Sequence, residues 1–302
     1  MLSLSQIKLR IVAAIFPAWF LIDPLVQTWL VEDVGRGDRT TQAIFPSGDL
    51  KSQSQATWIA KQAGVVTGLP IAQRVFQKLD PTGMTAEHPS EGSAVSPGDI
   101  LFCFTGSTAA LLMGERVALN VVMHLSGIAT MTRQYVEAIA DLKTQLVDTR
   151  KTTPGLRILE KYATQVGGAR NHRLGLDDAV MIKDNHIQAS GSITAAVERV
   201  RQSAPYPLSI EVETSTLAEV EEALHCGIEI IMLDNMSLEE LEAAVELIRT
   251  QNSQLKIEAS GNITLDTIRA VAQTGVDFIS SSAPITRSPW LDISMQLGRV
   301  IN

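Results

Sequence analysis

Residues 146–187 read LVDTRKTTPGLRILEKYATQVGGARNHRLGLDDAVMIKDNHI, and this stretch decides the fold. Two short apolar runs, LVD and AVMI, have the length and character of buried strands. Each releases chemistry at its end. Thr149, Arg150 and Lys151 follow the first, and Lys183, Asp184 and Asn185 follow the second. Between them come a helix-like stretch and then Gly167-Gly168-Ala169-Arg170-Asn171-His172-Arg173. Guanidinium forks grip carboxylates and phosphates through parallel hydrogen bonds, so clustered Arg, Lys and His at strand ends point to a polyanionic small molecule. A solvated surface face would carry such charges at helical spacing, without the interleaved Gly, Pro and Asn.

The same rhythm continues towards the C-terminus. Strands are expected at Gln145–Asp148, Ala179–Ile182, Leu208–Val212, Ile228–Leu233, Lys256–Ala259 and Val276–Ser280. Amphipathic stretches at Pro154–Val166, Ile193–Ser203, Leu217–Cys226, Leu238–Thr250 and Leu265–Gln273 separate them. Gly227 and Gly275 fall between helix and strand, where a left-handed residue ends a helix. Alternating strands and helices imply a parallel sheet. Every strand end carries polar residues: after the two already named come Glu213, then Asp234 and Asn235, then Ser260, Gly261 and Asn262, then Ser281 and Ser282. That distribution favours a βα barrel over an open doubly wound sheet with one switch point, and six strands make the barrel incomplete or distorted.

Residues 32–115 read differently. Gly and Pro clusters recur at Gly35-Arg36-Gly37, Pro46-Ser47-Gly48, Pro81-Thr82-Gly83 and Pro97-Gly98. Strands are expected at Ala56–Ala60, Gly64–Thr67 and Ile100–Thr105, with a helix at Pro70–Leu79. This predicts a separate α+β domain over 1–115, with residues 1–15 as an extension. Glu115–Leu125 is a strong helix and the expected joint to a barrel over 116–286, with residues 287–302 packing back on the first domain. The apolar run Ile11–Ile22 is too short to span a bilayer and lacks a cleavage site. A helix over Leu25–Val31 is expected instead, with Asp23 as N-cap and Pro24 in its first turn.

The 302 residues carry a formal net charge of -8, which disfavours nucleic acid as a partner, so the cations of the site must be local. Two cysteines without spacing, Cys103 and Cys226, suit a reducing, cytoplasmic setting. Glu211 and Glu213 stand at i and i+2 of one strand and share a face. Glu213, nearer the rim, reads as a candidate for Mg²⁺ or ribose hydroxyls. Glu211 reads as a buried partner of one of the barrel's own cations. The Ser260 and Ser281 triplets leave backbone N–H groups open for a phosphate. His172 and His186 lack metal-ligand spacing; His186 reads as shaping its loop, and His88, His124 and His225 as structural or surface residues.

The motifs DTRKTTPGLR, GGARNHRLGL, MIKDNHI, IEVET, MLDNMS, EASGNIT and GVDFISSSA, with EDVGRGDRTT at 32–41, together resemble the quinolinate phosphoribosyltransferase family from about Pro17 to the C-terminus. The resemblance implies an N-terminal α/β sandwich domain and an incomplete α/β barrel. It also implies the reaction: quinolinate and phosphoribosyl pyrophosphate give nicotinate mononucleotide, pyrophosphate and CO₂, with Mg²⁺, in NAD biosynthesis. By resemblance, Arg150, His172, Arg173 and Lys183 hold the two carboxylates of quinolinate. Thr149 belongs to the same substrate set, and Lys151 lies near the pyrophosphate. Glu213 and Asp234 serve ribose and metal. Ser260, Gly261, Asn262, Ser281, Ser282 and Ala283 hold the 5-phosphate, although many members have a glycine in the last triplet. Arg116, in GERVALN, matches an arginine that reaches into the partner subunit, which implies a homodimer open to higher assembly and no membrane partner. Two rivals are a molybdenum-transport-associated homologue and a non-catalytic pyridine or phosphoribosyl sensor. The intact NHR and IKDNH stretches oppose the first. The retained carboxylates oppose the second, because a binder of anions has no use for Glu213 and Asp234.

Overall fold

The structure, a computed structural model, describes residues 14–45, 52–86 and 88–299. Most of the expected N-terminal extension and the Pro46-Ser47-Gly48 turn lie outside them. The chain divides into two compact units. Of the described residues, one unit comprises those up to Arg133, the segment Ile158–Gly167 and those from Ser288 on; the other comprises Gln134–Arg157 and Gly168–Arg287. The boundary therefore falls at 133/134 and not at 115/116. The reason is a single unbroken helix, α4, that spans the expected joint.

The first unit contains α1 (Trp19–Val34), α2 (Arg39–Ile44), β1 (Gln53–Ala60), β2 (Gly64–Val65), α3 (Leu69–Leu79), β3 (Met84–Thr85), β4 (Ala94–Val95), β5 (Ile100–Ser107) and most of α4 (Thr108–Ala138). In β1 alternate residues are buried, the signature of a sheet with one face on a core. Trp58 from that face packs with Phe76 of α3 and Phe102 of β5, and Phe76 packs with Phe104, to make an aromatic core. α1 is longer than expected. It begins at Trp19 and carries Pro24 inside it, without Asp23 as a cap. Asp23 is held instead by Arg74, which donates two bonds of 2.7 and 2.6 Å. α4 is long and apolar enough by composition to cross a membrane, yet 56% of its most apolar stretch is buried in the protein.

The second unit contains β6 (Gln145–Val147), the start of α5 (Arg157–Gly167), β7 (Val180–Ile182), α6 (Asp184–Ser190), α7 (Ile193–Ser203), β8 (Ile210–Thr214), α8 (Leu217–Leu224), β9 (Ile230–Asp234), α9 (Leu238–Gln251), β10 (Lys256–Ser260), α10 (Ile268–Gln273), β11 (Phe278–Ser280) and α11 (Ala283–Thr286). The last strand, β12 (Ile293–Arg299), pairs antiparallel with β1 in the first unit. The six strands β6 to β11 form one parallel sheet in the order β6-β11-β10-β9-β8-β7. No pairing joins the edge strands β6 and β7 among the described residues, so the barrel is incomplete. Ser192, Thr216 and Ser237 cap the helices that follow them, and Glu219 and Glu240 complete capping boxes. Gly227 and Gly275 have φ of 65° and 94°, the left-handed turns that return the chain to the sheet. Because all six strands are parallel, the residues after them emerge at one edge of the sheet.

Candidate active site

That edge opens into a cavity of about 470 Å³, a volume in the range of small-molecule sites. Thr149, Arg150, Lys151, His172, Arg173, Lys183, Glu213, Asp234, Ser260, Gly261 and Asn262 all line it. They come from five of the six strand ends and from the turn before β7. Ser281, Ser282 and Ala283 are not among the lining residues; Ser280 is. Ser281 is turned inward, where its hydroxyl donates to Ile263 O at 3.2 Å. Arg116 belongs to the other unit, where it is exposed on α4.

The cations are placed with care. Arg150 Nη1 is buried without a hydrogen-bond partner. Buried donors almost always have acceptors, so this one calls for an anion. Arg173 sits close by. Burial, then the charge of Arg150, lowers its pKa from the ordinary guanidinium value. Its Nη1 donates to Ala179 O at 2.9 Å, which holds the fork in place. Lys183 donates to Glu213 Oε2 at 2.7 Å. Lys183 also opens α6, where His186 Nδ1 accepts its backbone N–H at 2.9 Å, so His186 shapes the turn.

Asp148 is a functional residue that sequence reasoning missed. It is buried, and its carboxylate accepts the backbone N–H of His172 at 2.8 Å and the Asn171 amide at 2.6 Å. It thereby fixes the 171–173 turn against the end of β6. The only signal available was its place as the last residue of the apolar run. Met181, Met232 and Glu258 were also missed as lining residues.

The end of β9 and the end of β10 meet in a tight cradle. Asn235 and Asn262 both have positive φ, 55° and 50°. Asn235 N donates to Ser260 O at 3.0 Å, and Asn262 donates to the Asn235 side chain at 3.3 Å. Gly261, at φ +101°, has no room for a side chain: a Cβ there would stand 2.3 Å from Asn235 Oδ1. Strained residues of this kind cluster at ligand sites.

Two groups of acids bear on metal binding. Glu213 and Asp234 offer hard oxygens inside the cavity, the donor type that suits Mg²⁺ shared with substrate phosphates. The second group is His172, Glu211 and Glu258, whose ligand atoms all lie within 4.8 Å of one another. Here, however, His172 Nδ1 accepts the backbone N–H of Arg173 at 2.7 Å. The proton of the neutral ring is therefore on Nε2, which faces Glu211 at 3.1 Å and Glu258 at 3.6 Å as a donor and not as a ligand. His172 and Glu211 form a hydrogen-bonded pair, and the Glu258 carboxyl lies beside it at 3.6 Å. Glu211 is buried, as expected, but the partner it faces is this neutral ring and not one of the cations. Burial and the charge of Glu211 push the Glu258 carboxyl up to about 7.

Residues 38–126 match the N-terminal domain of quinolinate phosphoribosyl transferase, and residues 128–296 match its C-terminal domain. A probable nicotinate-nucleotide pyrophosphorylase [carboxylating] of Synechocystis sp. is 62% identical over 283 residues, which cover 94% of this chain and 95% of that protein. Its counterpart in Bacillus subtilis is 42% identical over 273 residues, 90% of this chain and 92% of that one. The crystal structure of NadC from Streptococcus pyogenes superposes with a TM-score of 0.89 at 44% identity, covering 95% of this chain and 100% of that chain. On these matches, and on a fold that agrees with theirs, the chain belongs to the quinolinate phosphoribosyltransferase family.

Proposed function

We propose that the protein transfers phosphoribosyl from phosphoribosyl pyrophosphate to quinolinate with loss of CO₂, giving nicotinate mononucleotide for NAD biosynthesis in the cytoplasm. The observation that carries this reading is Arg150 Nη1, buried and unpartnered, beside Arg173 in a cavity that also holds carboxylates. Two guanidinium groups packed together repel, and a dianion relieves both. Quinolinate brings two adjacent carboxylates. Arg150, Arg173 and Lys183 take them, with His172 in the same wall. Lys151, exposed at the rim, meets the pyrophosphate.

The other half of the cavity serves the donor. The strained Asn235–Gly261–Asn262 cradle, with Ser260 and Ser280, receives the 5-phosphate. Glu213 and Asp234 face the ribose. As pyrophosphate departs, C1 gains positive character, and fixed carboxylates stabilise that charge more than they stabilise the ground state. The pyridine nitrogen then bonds to C1. The resulting pyridinium accepts the electron pair left at C2 as CO₂ departs, and a proton replaces it. Bound Mg²⁺ would be held by Glu213, Asp234 and substrate oxygens and would supply charge neutralisation on the pyrophosphate.

Arg116 acts from a partner subunit, so the homodimer is the active unit. Its exposure on α4 and the exposed Phe20 and Val31 of α1 support association with a second copy. The deciding assay is release of labelled CO₂ from carboxyl-labelled quinolinate. Release should require phosphoribosyl pyrophosphate and match nicotinate mononucleotide formed. Absence of release with both substrates and Mg²⁺ present would reject the reading.

A further inference from the structure

Glu211 and Glu258 stand on β8 and β10, each only 3% exposed. Each keeps one carboxylate oxygen, Oε1, buried with no hydrogen-bond partner. Each presents the other, Oε2, to His172 Nε2, at 3.1 Å from Glu211 and 3.6 Å from Glu258. Burying two acids side by side is costly unless a partner and a proton reduce their charge. Here the partner is the His172 N–H, and the elevated Glu258 carboxyl takes the proton. The other face of the ring reaches the ligand side of the molecule. His172 Nδ1 accepts the Arg173 N–H at 2.7 Å, and the Arg173 guanidinium is itself tied to Ala179 O.

We propose that Glu211 and Glu258 are positioning residues: they hold His172 as its Nε2–H tautomer, and the ring, through Nδ1, holds Arg173 at the cavity. The proposal rests on the reading of that cavity as a quinolinate site. It deepens the reading by giving His172 the work of orienting Arg173, since both of its ring nitrogens are already engaged. The device is cooperative. Moving the ring proton to Nδ1 would set two N–H donors against each other at Arg173 and would take from Glu211 the donor it faces at 3.1 Å. The two bonds stand or fall together, and Glu211, the nearer acceptor at 3.1 Å, sets them.

Two measurements test this. Nitrogen-15 spectra of histidine-labelled full-length protein, near neutral pH and without substrate, should show His172 as a neutral ring protonated at Nε2. An imidazolium, or a ring protonated at Nδ1, overturns the proposal, and this result needs no variant to fold. In steady-state kinetics Glu211→Leu should raise the quinolinate KM by about tenfold or more, as expected for a lost bond between polar and charged groups. The KM for phosphoribosyl pyrophosphate should stay within about twofold of wild type, because the donor half of the cavity is untouched. Glu211→Gln should restore most of the quinolinate KM, since its amide oxygen still accepts from Nε2–H. Both KM values moving together, with no rescue by Gln, would mark a merely structural role and overturn the proposal. A protein that fails to turn over quinolinate, yet shows the Nε2–H ring in wild type and loses it in Glu211→Leu, would reject the substrate reading and uphold the positioning one.

Discussion

Glu258→Gln should stabilise the protein in alkali and not in acid. The Glu258 carboxyl is raised from its ordinary value of 4.5 to about 7, first by burial and then by the charge of Glu211, against smaller lowering effects of His172, Ser280 and Lys183. Those groups, on β8, β11, the 171–173 turn and the end of β7, are the charged and polar neighbours that set it. A folded-state value above the unfolded one means that the fold binds the proton more tightly. The stabilisation is complete below pH 4.5 and is lost as pH rises through about 7. At about 1.4 kcal/mol for each tenfold in proton affinity, the loss amounts to about 3 kcal/mol. Glutamine resembles the protonated acid and does not titrate. The stability of the variant relative to wild type should therefore climb by about 2–3 kcal/mol between pH 5 and pH 8, whatever constant offset the amide introduces. With Tm moving by ~2–4 °C per kcal/mol in a unit of this size, the gap should widen by ~4–12 °C. Scanning calorimetry of both proteins at matched ionic strength measures it directly. Tm curves that run parallel from pH 5 to pH 8 would refute the argument, because they would mean that Glu258 is ionised throughout or shielded by water.

Three further outcomes follow from the site. Arg173→Ala and Lys183→Ala should each weaken quinolinate binding by roughly 2–5 kcal/mol in calorimetric titration while barely changing donor binding, as expected when one partner of a desolvated charge pair is lost; unchanged quinolinate affinity would dismiss the assignment. Glu213→Ala and Asp234→Ala should lower kcat by about tenfold or more with quinolinate affinity maintained, because their carboxylates act on charge that develops in the transition state; Lys183, freed from its 2.7 Å bond to Glu213, should if anything bind quinolinate better in the first variant. Arg116→Ala and Arg150→Ala proteins should each be nearly inactive alone and recover part of the activity when mixed, since one site of a mixed dimer then carries neither lesion. No recovery after proven subunit exchange would rule out the trans arrangement.

Much of the barrel was legible because its periodicities are local. The six expected strands match β6 to β11 to within two residues at either end, since short apolar runs between glycine-ended amphipathic helices have few other uses. Where the reading failed, a competing tertiary contact was responsible. Asp23 followed by Pro24 looks like a helix start, yet α1 already runs from Trp19, and Arg74 draws Asp23 into an ion pair. Glu115 looks like the start of a helix at a joint, but α4 begins at Thr108 and continues for 31 residues. The Ser281 triplet has the right residues for a phosphate loop, and the structure turns Ser281 towards Ile263 and leaves Ser280 at the cavity.

The sequence by itself determined which residues would stand at the strand ends, and hence the chemical character of the site, because strand alternation and turn chemistry are set within a few neighbours. Only the tertiary structure decided the partnerships among them. Lys183 with Glu213 spans 30 residues, His172 with Glu211 spans 39, and Asp148 with the 171–173 turn spans more than 20. Those pairings depend on which strands lie adjacent in the sheet and how their registers align. Electrostatics inside a barrel follows distance in space, and a chain carries no record of that distance until it has folded.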